Sequence, residues 1–223
     1  MEPMLQKLKV LGYNVTLKVL QVADYGVPQF RRRLVLLAGK GFEIPLPEAT
    51  HAKNGKGKPK WKTVREVIGH YGEPLTLLQA KKQGRFPLRT WHVVRDMSPL
   101  NTDRLKVVLP GETWTAIPEH LRPQCHRGGY KGFSNVYGRM EWDEVSPTIT
   151  GGCTTLSKGR FGHPERNTTI SVREAASLQT FPEDYIFDAL YIDPVCKIIG
   201  NALPCLFAEK IAEACYKKLK ENH

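Results

Sequence analysis

The segment Asp24-Tyr25-Gly26-Val27-Pro28-Gln29-Phe30-Arg31-Arg32-Arg33-Leu34 joins a cluster of turn residues to a run of basic side chains. Because side chains alternate along a strand, Gln29, Arg31 and Arg33 are predicted to share one face. Two guanidinium groups and an amide that converge in this way can grip a phosphate and donate to a base carbonyl. The same pattern is also typical of a solvated basic strand edge, so the residues alone leave both interpretations open.

The sequence on either side of this segment predicts a helix followed by two strands. Apolar residues between Met4 and Leu11 recur at helical spacing, and Gly12 stands where a left-handed helix cap is expected. Residues 13–20 alternate with period two, and residues 34–38 form an apolar run. We therefore expect two strands joined by the loop that carries the polar cluster.

The rest of the chain divides into an irregular middle and a regular end. Residues 44–168 are rich in Pro and Gly, hold all four tryptophans and carry five lysines within residues 51–62, as a loop-rich recognition surface does. Capping-box signatures at Thr63–Glu66 and Ser171–Glu174 predict two helix starts. Apolar residues at helical spacing between Phe207 and Leu219 predict a terminal helix.

Composition restricts the possible partners and compartments. The 223 residues include 33 Lys and Arg against 22 Asp and Glu, a formal net charge of +11 that favours a polyanionic partner such as nucleic acid. A merely basic soluble protein remains the alternative. Five widely spaced cysteines without a secretory leader predict an intracellular, cytoplasmic location. No apolar run approaches the roughly 20 residues of a spanning helix, so membrane insertion is not expected.

Three segments resemble motifs of one enzyme family in the family's own order. Gly26-Val27-Pro28-Gln29-Phe30-Arg31-Arg32-Arg33 resembles the eighth shared motif of the DNA cytosine-5 methyltransferases. Ser171-Val172-Arg173-Glu174-Ala175-Ala176-Ser177-Leu178-Gln179-Thr180-Phe181-Pro182 resembles the ninth, and Gly200-Asn201-Ala202-Leu203-Pro204 the tenth. The stretch from Tyr137 to Thr150 is similar to the family's variable target-recognition region. The resemblance covers nearly the whole chain.

The resemblance implies an α/β fold and a reaction. The fold is the C-terminal part of a Rossmann-like methyltransferase core plus a loop-rich, mostly β target-recognition domain. Residues 1–43 and 169–223 are assigned to the core and residues 44–168 to the recognition domain. The implied reaction transfers a methyl group from S-adenosylmethionine to C5 of cytosine in duplex DNA, after a thiolate attacks C6 of the flipped base. A restriction-modification system is the common setting for such enzymes.

Three parts of that machinery do not occur in the 223 residues: the Phe-x-Gly-x-Gly loop, the Pro-Cys-Gln nucleophile segment and Glu-Asn-Val. We therefore expect an incomplete S-adenosylmethionine site and no methyl transfer by the isolated chain. A second polypeptide or an N-terminal half is expected to supply the missing motifs and to cover an apolar face. Cys205 follows Pro204 and Cys125 follows Gln124, but neither is predicted to be the nucleophile, since Cys205 begins a helix and Cys125 stands in reversed order.

The resemblance assigns roles to particular residues. Arg33 is assigned to the carbonyl oxygen of the target cytosine and a neighbouring phosphate, and Gln29 and Arg31 to support of the catalytic pocket. Gly200-Asn201-Ala202 is assigned to the methionine end of the cofactor, on a turn into a helix whose free N–H groups can hold a carboxylate. A plain helix cap is the alternative there. The candidates for DNA contact are Arg139, Thr150, Gly151, Gly152, Cys153, Thr154, Thr155, Lys158 and Arg160.

Other interpretations of the chain remain at this point. Arg173 and Glu174 are predicted to form an internal brace between the recognition region and the core, with DNA contact as the alternative. No metal site is expected, because His163 has no Cys or His at ligand spacing. The whole chain could instead be a DNA-binding module without catalysis. A protein acting on structured RNA is a third option, since one branch of the family resembles a tRNA methyltransferase.

Overall fold

The computed structural model describes residues 2–83 and 90–222. Helix α1 (Glu2–Val10) leads into strands β1 (Tyr13–Gln21) and β2 (Arg32–Lys40). The strands pair antiparallel along their whole length, with Tyr13 opposite Lys40 at one end. Gly12 ends α1 with a φ of 83°, a left-handed conformation that glycine adopts without steric cost. The predicted helix and both predicted strands are confirmed.

The ribbon formed by β1 and β2 has two apolar faces that differ in exposure. The inner face packs against Phe207 of the terminal helix α7 (Cys205–Glu221), and its buried residues are Leu20, Val35 and Leu37. The outer face carries side chains that are 36 to 48% exposed: Leu17, Val19 and Leu34. The outer face is therefore an apolar sheet surface that the described residues cover only in part.

The middle of the chain is irregular. It contains helices α2 (Val64–Ile68), α3 (Leu77–Lys82) and α4 (Pro99–Lys106) and three short 3₁₀ turns. Among the described residues of 44–168, the strands are β3 (Leu75–Thr76) and β4 (Val93–Val94), which pair in parallel over two residues. The expected mostly β composition is therefore wrong for the described part. Frequent Pro and Gly interrupt the period-two runs that longer strands need, and isolated bridges take their place.

Side-chain caps fix the starts of the short helices. Thr63 and Ser171 each accept a hydrogen bond from the backbone N–H three residues on, and the glutamate there bonds back, so both predicted capping boxes are confirmed. A capping box also begins α3 at Thr76, where no helix was predicted. All seven residues of α5 (Val172–Leu178) are buried. No helix in the described ranges is long and apolar enough to cross a membrane.

The hydrophobic clusters group the elements differently from the predicted domains. The largest cluster combines the middle of the chain with α5 and with α6 (Ile192–Asn201). A second cluster joins the β1–β2 ribbon to α7. A small third cluster surrounds Trp114 and Ile117. Residues 169–201 thus share their core with residues 64–161, whereas α7 packs on the N-terminal ribbon.

Candidate functional site

Gln29 lies at the centre of a buried hydrogen-bond network. Its Oε1 accepts from the backbone N–H of Ile149 at 3.0 Å, and its Nε2 donates to Oε1 of Gln179 at 2.6 Å. The Nη1 of Arg31 donates to the Ile149 carbonyl at 2.7 Å, and its Nη2 to the Gly200 carbonyl at 3.2 Å. We call these five residues the Gln29 network. It joins the segments that resemble the eighth, ninth and tenth motifs to the recognition region.

Gln179 extends the network to the end of α6. Its Nε2 donates to the Ile199 carbonyl at 2.7 Å and to the Ala202 carbonyl at 3.1 Å. The residue stands at the C-terminal end of α5, where its backbone N–H closes the last turn. Because both Gln29 and Gln179 are fully buried, each amide that loses its partner would leave unsatisfied polar groups.

Arg31 is a buried cation whose partners are uncharged. It is 5% exposed, and within the described residues its guanidinium donates to carbonyl and amide oxygens. Burial, and secondarily the charge of Arg33, lowers the pKa of Arg31 to about 10, so the group remains protonated at neutral pH. Its Nε is buried and has no hydrogen-bond partner among the residues that the structure describes. This arginine organises protein backbone and is not available to a phosphate.

Arg33 occupies a different position on the strand. It is half-buried, and its Nη1 donates to the carbonyl of Arg32 at 2.8 Å. Burial lowers its pKa. The structure thus brings Gln29 and Arg31 into one network and leaves Arg33 close to them, with a guanidinium that solvent still reaches.

Gly200 and Asn201 lie at the end of α6, so of the three predicted residues only Ala202 lies on the turn that leads into α7. Gly200 and Asn201 belong to the last turn of α6, and the Ala202 N–H donates to the Ile198 carbonyl. The helix end therefore offers carbonyls, and those of Ile199, Gly200 and Ala202 already accept bonds from the network. The free N–H groups expected there for a carboxylate are used within the helix. Asn201 itself is exposed.

Gly200 is required by close packing. A Cβ at this position would lie 2.1 Å from the Gly151 nitrogen and 2.2 Å from the Thr150 carbonyl carbon. Both atoms belong to the backbone, so a rotamer change cannot make room. The end of α6 therefore presses directly on the turn that begins at Thr150.

The predicted recognition residues fall into a buried and an accessible set. Arg139 is 4% exposed, and its guanidinium donates to the carbonyls of Val108, His163 and Leu105. Cys153 and Thr154 are also buried, and Thr154 Oγ1 accepts from Arg95. The structure does not present these three side chains at the surface. The remaining candidates are partly or fully exposed: Thr150, Gly151, Gly152, Thr155, Lys158 and Arg160.

Thr150, Lys158 and Arg160 lie together in a surface cleft of about 530 Å³. Arg160 donates to the Gly111 carbonyl at 3.0 Å and lies 3.6 Å from a carboxylate oxygen of Glu141. The volume lies in the range of ordinary ligand pockets. Among the other residues that line this cleft are three aromatic residues and a lysine that were not predicted as DNA contacts: Phe30, Lys53, Trp61 and Phe133. The sequence does carry a signal for Phe30. It stands between Gln29 and Arg31, so alternation along a strand places its side chain on the opposite face from theirs.

The predicted brace has the expected internal contacts. Arg173 is 3% exposed and donates to the carbonyls of Thr90 and Tyr185. Glu174 is fully buried and pairs with Arg166. Cys205 is half-buried at the start of α7, and Cys125 is exposed. Within the described ranges, no three His, Cys, Asp or Glu side chains lie close enough together to hold a metal ion.

Comparisons with solved structures support the fold. The chain superposes on a protein described as a DNA modification methyltransferase encoded within an E. coli prophage, with a TM-score of 0.63 and 17% identity. The superposition covers 98% of this chain and 64% of that one. Entamoeba histolytica methyltransferase EhMeth gives a TM-score of 0.55 at 11% identity, covering 98% of this chain and 58% of that one. The chain therefore shares its fold with about three fifths of each of these two proteins.

Sequence comparisons identify the family. The chain is 39% identical to type II methylase M.HgiDII of Herpetosiphon aurantiacus, covering 98% of this chain and 60% of the relative. It is 35% identical to type II methyltransferase M1.HphI of Haemophilus parahaemolyticus, covering 95% and 50%. The chain thus spans only about half to three fifths of the length of these relatives. Residues 1–217 match the family described as C-5 cytosine-specific DNA methylase. The chain belongs to this family.

Proposed function

We propose that the chain is the target-recognition and C-terminal part of a DNA cytosine-5 methyltransferase. The complete enzyme transfers a methyl group from S-adenosylmethionine to C5 of cytosine in duplex DNA. The Gln29 network is the observation that carries the proposal, because it joins the three motif-like segments through buried hydrogen bonds. A remnant without a catalytic pocket would not need these buried hydrogen bonds, which are costly whenever one partner is left unsatisfied.

Arg33 is the residue of this chain proposed to meet the target cytosine. Its guanidinium is half-buried beside the rigid network and is still reached by solvent. Gln29 and Arg31 are positioning residues, since they contact protein atoms and fix the strand that carries Arg33. Thr150, Lys158 and Arg160 are proposed to contact DNA from the surface cleft that they line.

The residues of this chain do not by themselves fit S-adenosylmethionine. The cofactor supplies the methyl group in this family, but the carbonyls at the end of α6 are already bonded and a Cβ-sized space at Gly200 is filled by backbone. Of the three residues proposed for the cofactor, only Asn201 has an exposed side chain. A further segment must therefore provide most of the cofactor site.

The outer face of the β1–β2 ribbon is the surface proposed to receive that segment. Leu17, Val19 and Leu34 form an exposed apolar patch on paired strands, which soluble proteins normally cover. The Herpetosiphon relative has about 40% of its length outside the match, since the match spans 60% of it. We propose that a segment of this kind, with the nucleophile and glycine-loop motifs, completes the core here.

Reconstitution tests the proposal. The purified chain is incubated with duplex DNA and radiolabelled S-adenosylmethionine, alone and with the unmatched segment of the Herpetosiphon relative. Methyl incorporation is expected only in the mixture, and Arg33→Ala is expected to abolish it while leaving most duplex binding. Methyl incorporation by the chain alone would refute the proposal that a further segment must supply the missing motifs. Duplex binding without rescue would favour a DNA-binding module without catalysis, and a preference for tRNA over duplex DNA would contradict the substrate.

A further inference from the structure

One exposed loop carries positive charge of a single sign. The segment of residues 51–62, which we call the lysine loop, contains five lysines and no acidic residue. All five are exposed: Lys53, Lys56, Lys58, Lys60 and Lys62. Among the residues that the structure describes, none of the five forms an ion pair with a carboxylate. The lysine loop therefore concentrates charge that the folded chain leaves uncompensated.

Several surface lysines on the helices have a different environment. Lys106 of α4 pairs with Asp103 at 3.0 Å, and Lys210 of α7 pairs with Glu213 at 2.8 Å, each at a spacing of three residues. Interspersed charges of both signs are typical of an ordinary solvated surface. A cluster of one sign is a different case, because its summed field attracts a polyanion.

One acidic residue holds both ends of the lysine loop. The Asp24 carbonyl accepts from the backbone N–H groups of Thr50 and His51, each at 2.9 Å. The Asp24 carboxylate accepts from the indole Nε1 of Trp61, also at 2.9 Å. A Cβ at Gly26 would lie 2.9 Å from the His51 ring, so the two segments are in close contact. The lysine loop is therefore fixed against the segment that precedes β2 and is not a free arm.

The backbone of the lysine loop is closed by its own hydrogen bonds. The Ala52 N–H donates to the Pro59 carbonyl at 2.9 Å, and the Gly55 N–H donates to the Ala52 carbonyl at 3.1 Å. Gly55 and Gly57 have φ values of 78° and 79°, which allow the chain to reverse between these bonds. Because the backbone is already ordered, a ligand bound by the lysines restricts mainly their side chains.

The lysine loop adjoins the 530 Å³ cleft and extends beyond it. Lys53 lines the cleft together with Lys158, which is proposed to contact DNA. Lys56 and Lys60 belong to the same loop but do not line the cleft. A polyanion that lies in the cleft and passes Lys53 therefore reaches the other lysines of the loop outside it.

We propose that the lysine loop binds the phosphate backbone of duplex DNA outside the cleft, as a sequence-independent contact that continues from Lys53 to Lys56 and Lys60. The proposal rests on the proposed function and adds to it a surface that holds the DNA beside the cleft. Lysine suits this task, because its ammonium is a flexible point charge without the fixed fork by which arginine reads guanine. The contact strengthens binding to duplexes of different sequence alike.

The salt dependence of duplex binding tests the proposal with the full chain. The Kd for one duplex of arbitrary sequence is measured by anisotropy of an end label between about 50 and 200 mM salt. Lys56→Ala/Lys60→Ala removes two charges outside the cleft, and Lys58 is kept because its Nζ donates to the Ala49 carbonyl. We expect the slope of log K against log salt to fall by about 1.8, so that over this range the variant loses about 12-fold less affinity than the parent chain.

Lys7→Ala/Lys9→Ala is the matched control. It removes two exposed lysines of α1 that also form no ion pair within the described part of the chain, so the net charge falls by the same amount. We expect this variant to keep the slope of the parent chain. Equal reductions in the two double variants would overturn the proposal, because the effect would then come from the net charge alone.

Protection from acetylation is a second readout, made on the parent chain itself. Lysines are acetylated with and without the duplex and located by mass spectrometry. Bound DNA is expected to protect Lys56 and Lys60 and to leave Lys7 and Lys9 reactive. Equal reactivity of Lys56 and Lys60 in the free and the bound chain would contradict the contact.

The remaining outcomes distinguish this inference from the proposed function. Duplex binding with an unchanged slope in Lys56→Ala/Lys60→Ala would overturn the lysine-loop contact and leave duplex recognition in place. Binding to vesicles of phosphatidylserine and phosphatidylcholine that requires Lys56 and Lys60, with duplex binding unaffected, would assign the loop to a membrane surface instead. A parent chain that binds no duplex would contradict the proposed function itself.

Discussion

Replacing Gly200 by alanine tests the packing on which the candidate site depends. The added Cβ would lie 2.1 Å from the Gly151 nitrogen and 2.2 Å from the Thr150 carbonyl carbon, so α6 must move away from the turn. Movement would also lengthen the 3.2 Å hydrogen bond from Arg31 to the Gly200 carbonyl. The substitution therefore strains both the packing and the Gln29 network.

The change in stability expected for Gly200→Ala has the opposite sign to the change that helix propensity alone predicts. Alanine within a helix is favoured over glycine by about 1 kcal/mol. Overpacking costs about 1–3 kcal/mol, and a lost buried hydrogen bond about 1–3 kcal/mol more. We expect a net destabilisation of roughly 2–3 kcal/mol, which for a chain of this size lowers Tm by about 4–12 °C.

The assay is thermal unfolding followed by circular dichroism, with Gly72→Ala as the matched control. A Cβ at Gly72 meets no atom within 4 Å, so this variant is expected to leave Tm unchanged or slightly raised. A Tm for Gly200→Ala equal to or above that of the parent chain would refute the close approach of α6 to the Thr150 turn.

Three further predictions follow from individual side chains. Arg139→Ala should destabilise the fold by more than about 3 kcal/mol, since it orphans several buried carbonyls, while the folded fraction keeps its DNA affinity; a loss of affinity at unchanged Tm would contradict this. Burial, with smaller contributions from neighbouring arginines, lowers the pKa of His163 to about 3, so stability is present above about pH 6.5 and is lost as the pH falls towards 3. Urea unfolding should show a loss of about 2 kcal/mol between pH 7.5 and 5, which His163→Asn reduces. Lys158→Ala should lower the salt dependence of DNA binding by about one ion, and an unchanged slope would remove Lys158 from the interface.

Local patterns predicted the ends of the fold well. The period-two alternation of residues 13–20 became β1, and the capping box at Ser171 became the first turn of α5. These elements follow from interactions between near neighbours. Helix α6 carries a comparable signal, since Ile192, Val195 and Ile199 recur at helical spacing, although no helix was predicted there.

The roles of individual side chains were less predictable, because they depend on contacts with backbone groups that are far away in the sequence. Nothing beside Arg139 in the sequence indicates that carbonyls at residues 105, 108 and 163 surround its guanidinium. Phe133 likewise stands in a glycine-rich basic stretch, and only the fold brings it to the cleft that Phe30 also lines. Long-range contacts of this kind decide whether an arginine reads a ligand or supports the core.

Arg31 and Arg33 are two residues of the same type with different roles. Arg31 holds Ile149 and Gly200 together, and because its partners are dipoles its positive charge remains largely uncompensated inside the protein. Arg33 stands close enough for its charge to lower the pKa of Arg31. An anion bound at Arg33 would offset this repulsion, so phosphate binding and the stability of the Gln29 network are coupled. The proposed binding of DNA at Arg33 therefore predicts that the strand carrying Arg33 is stabilised in the complex.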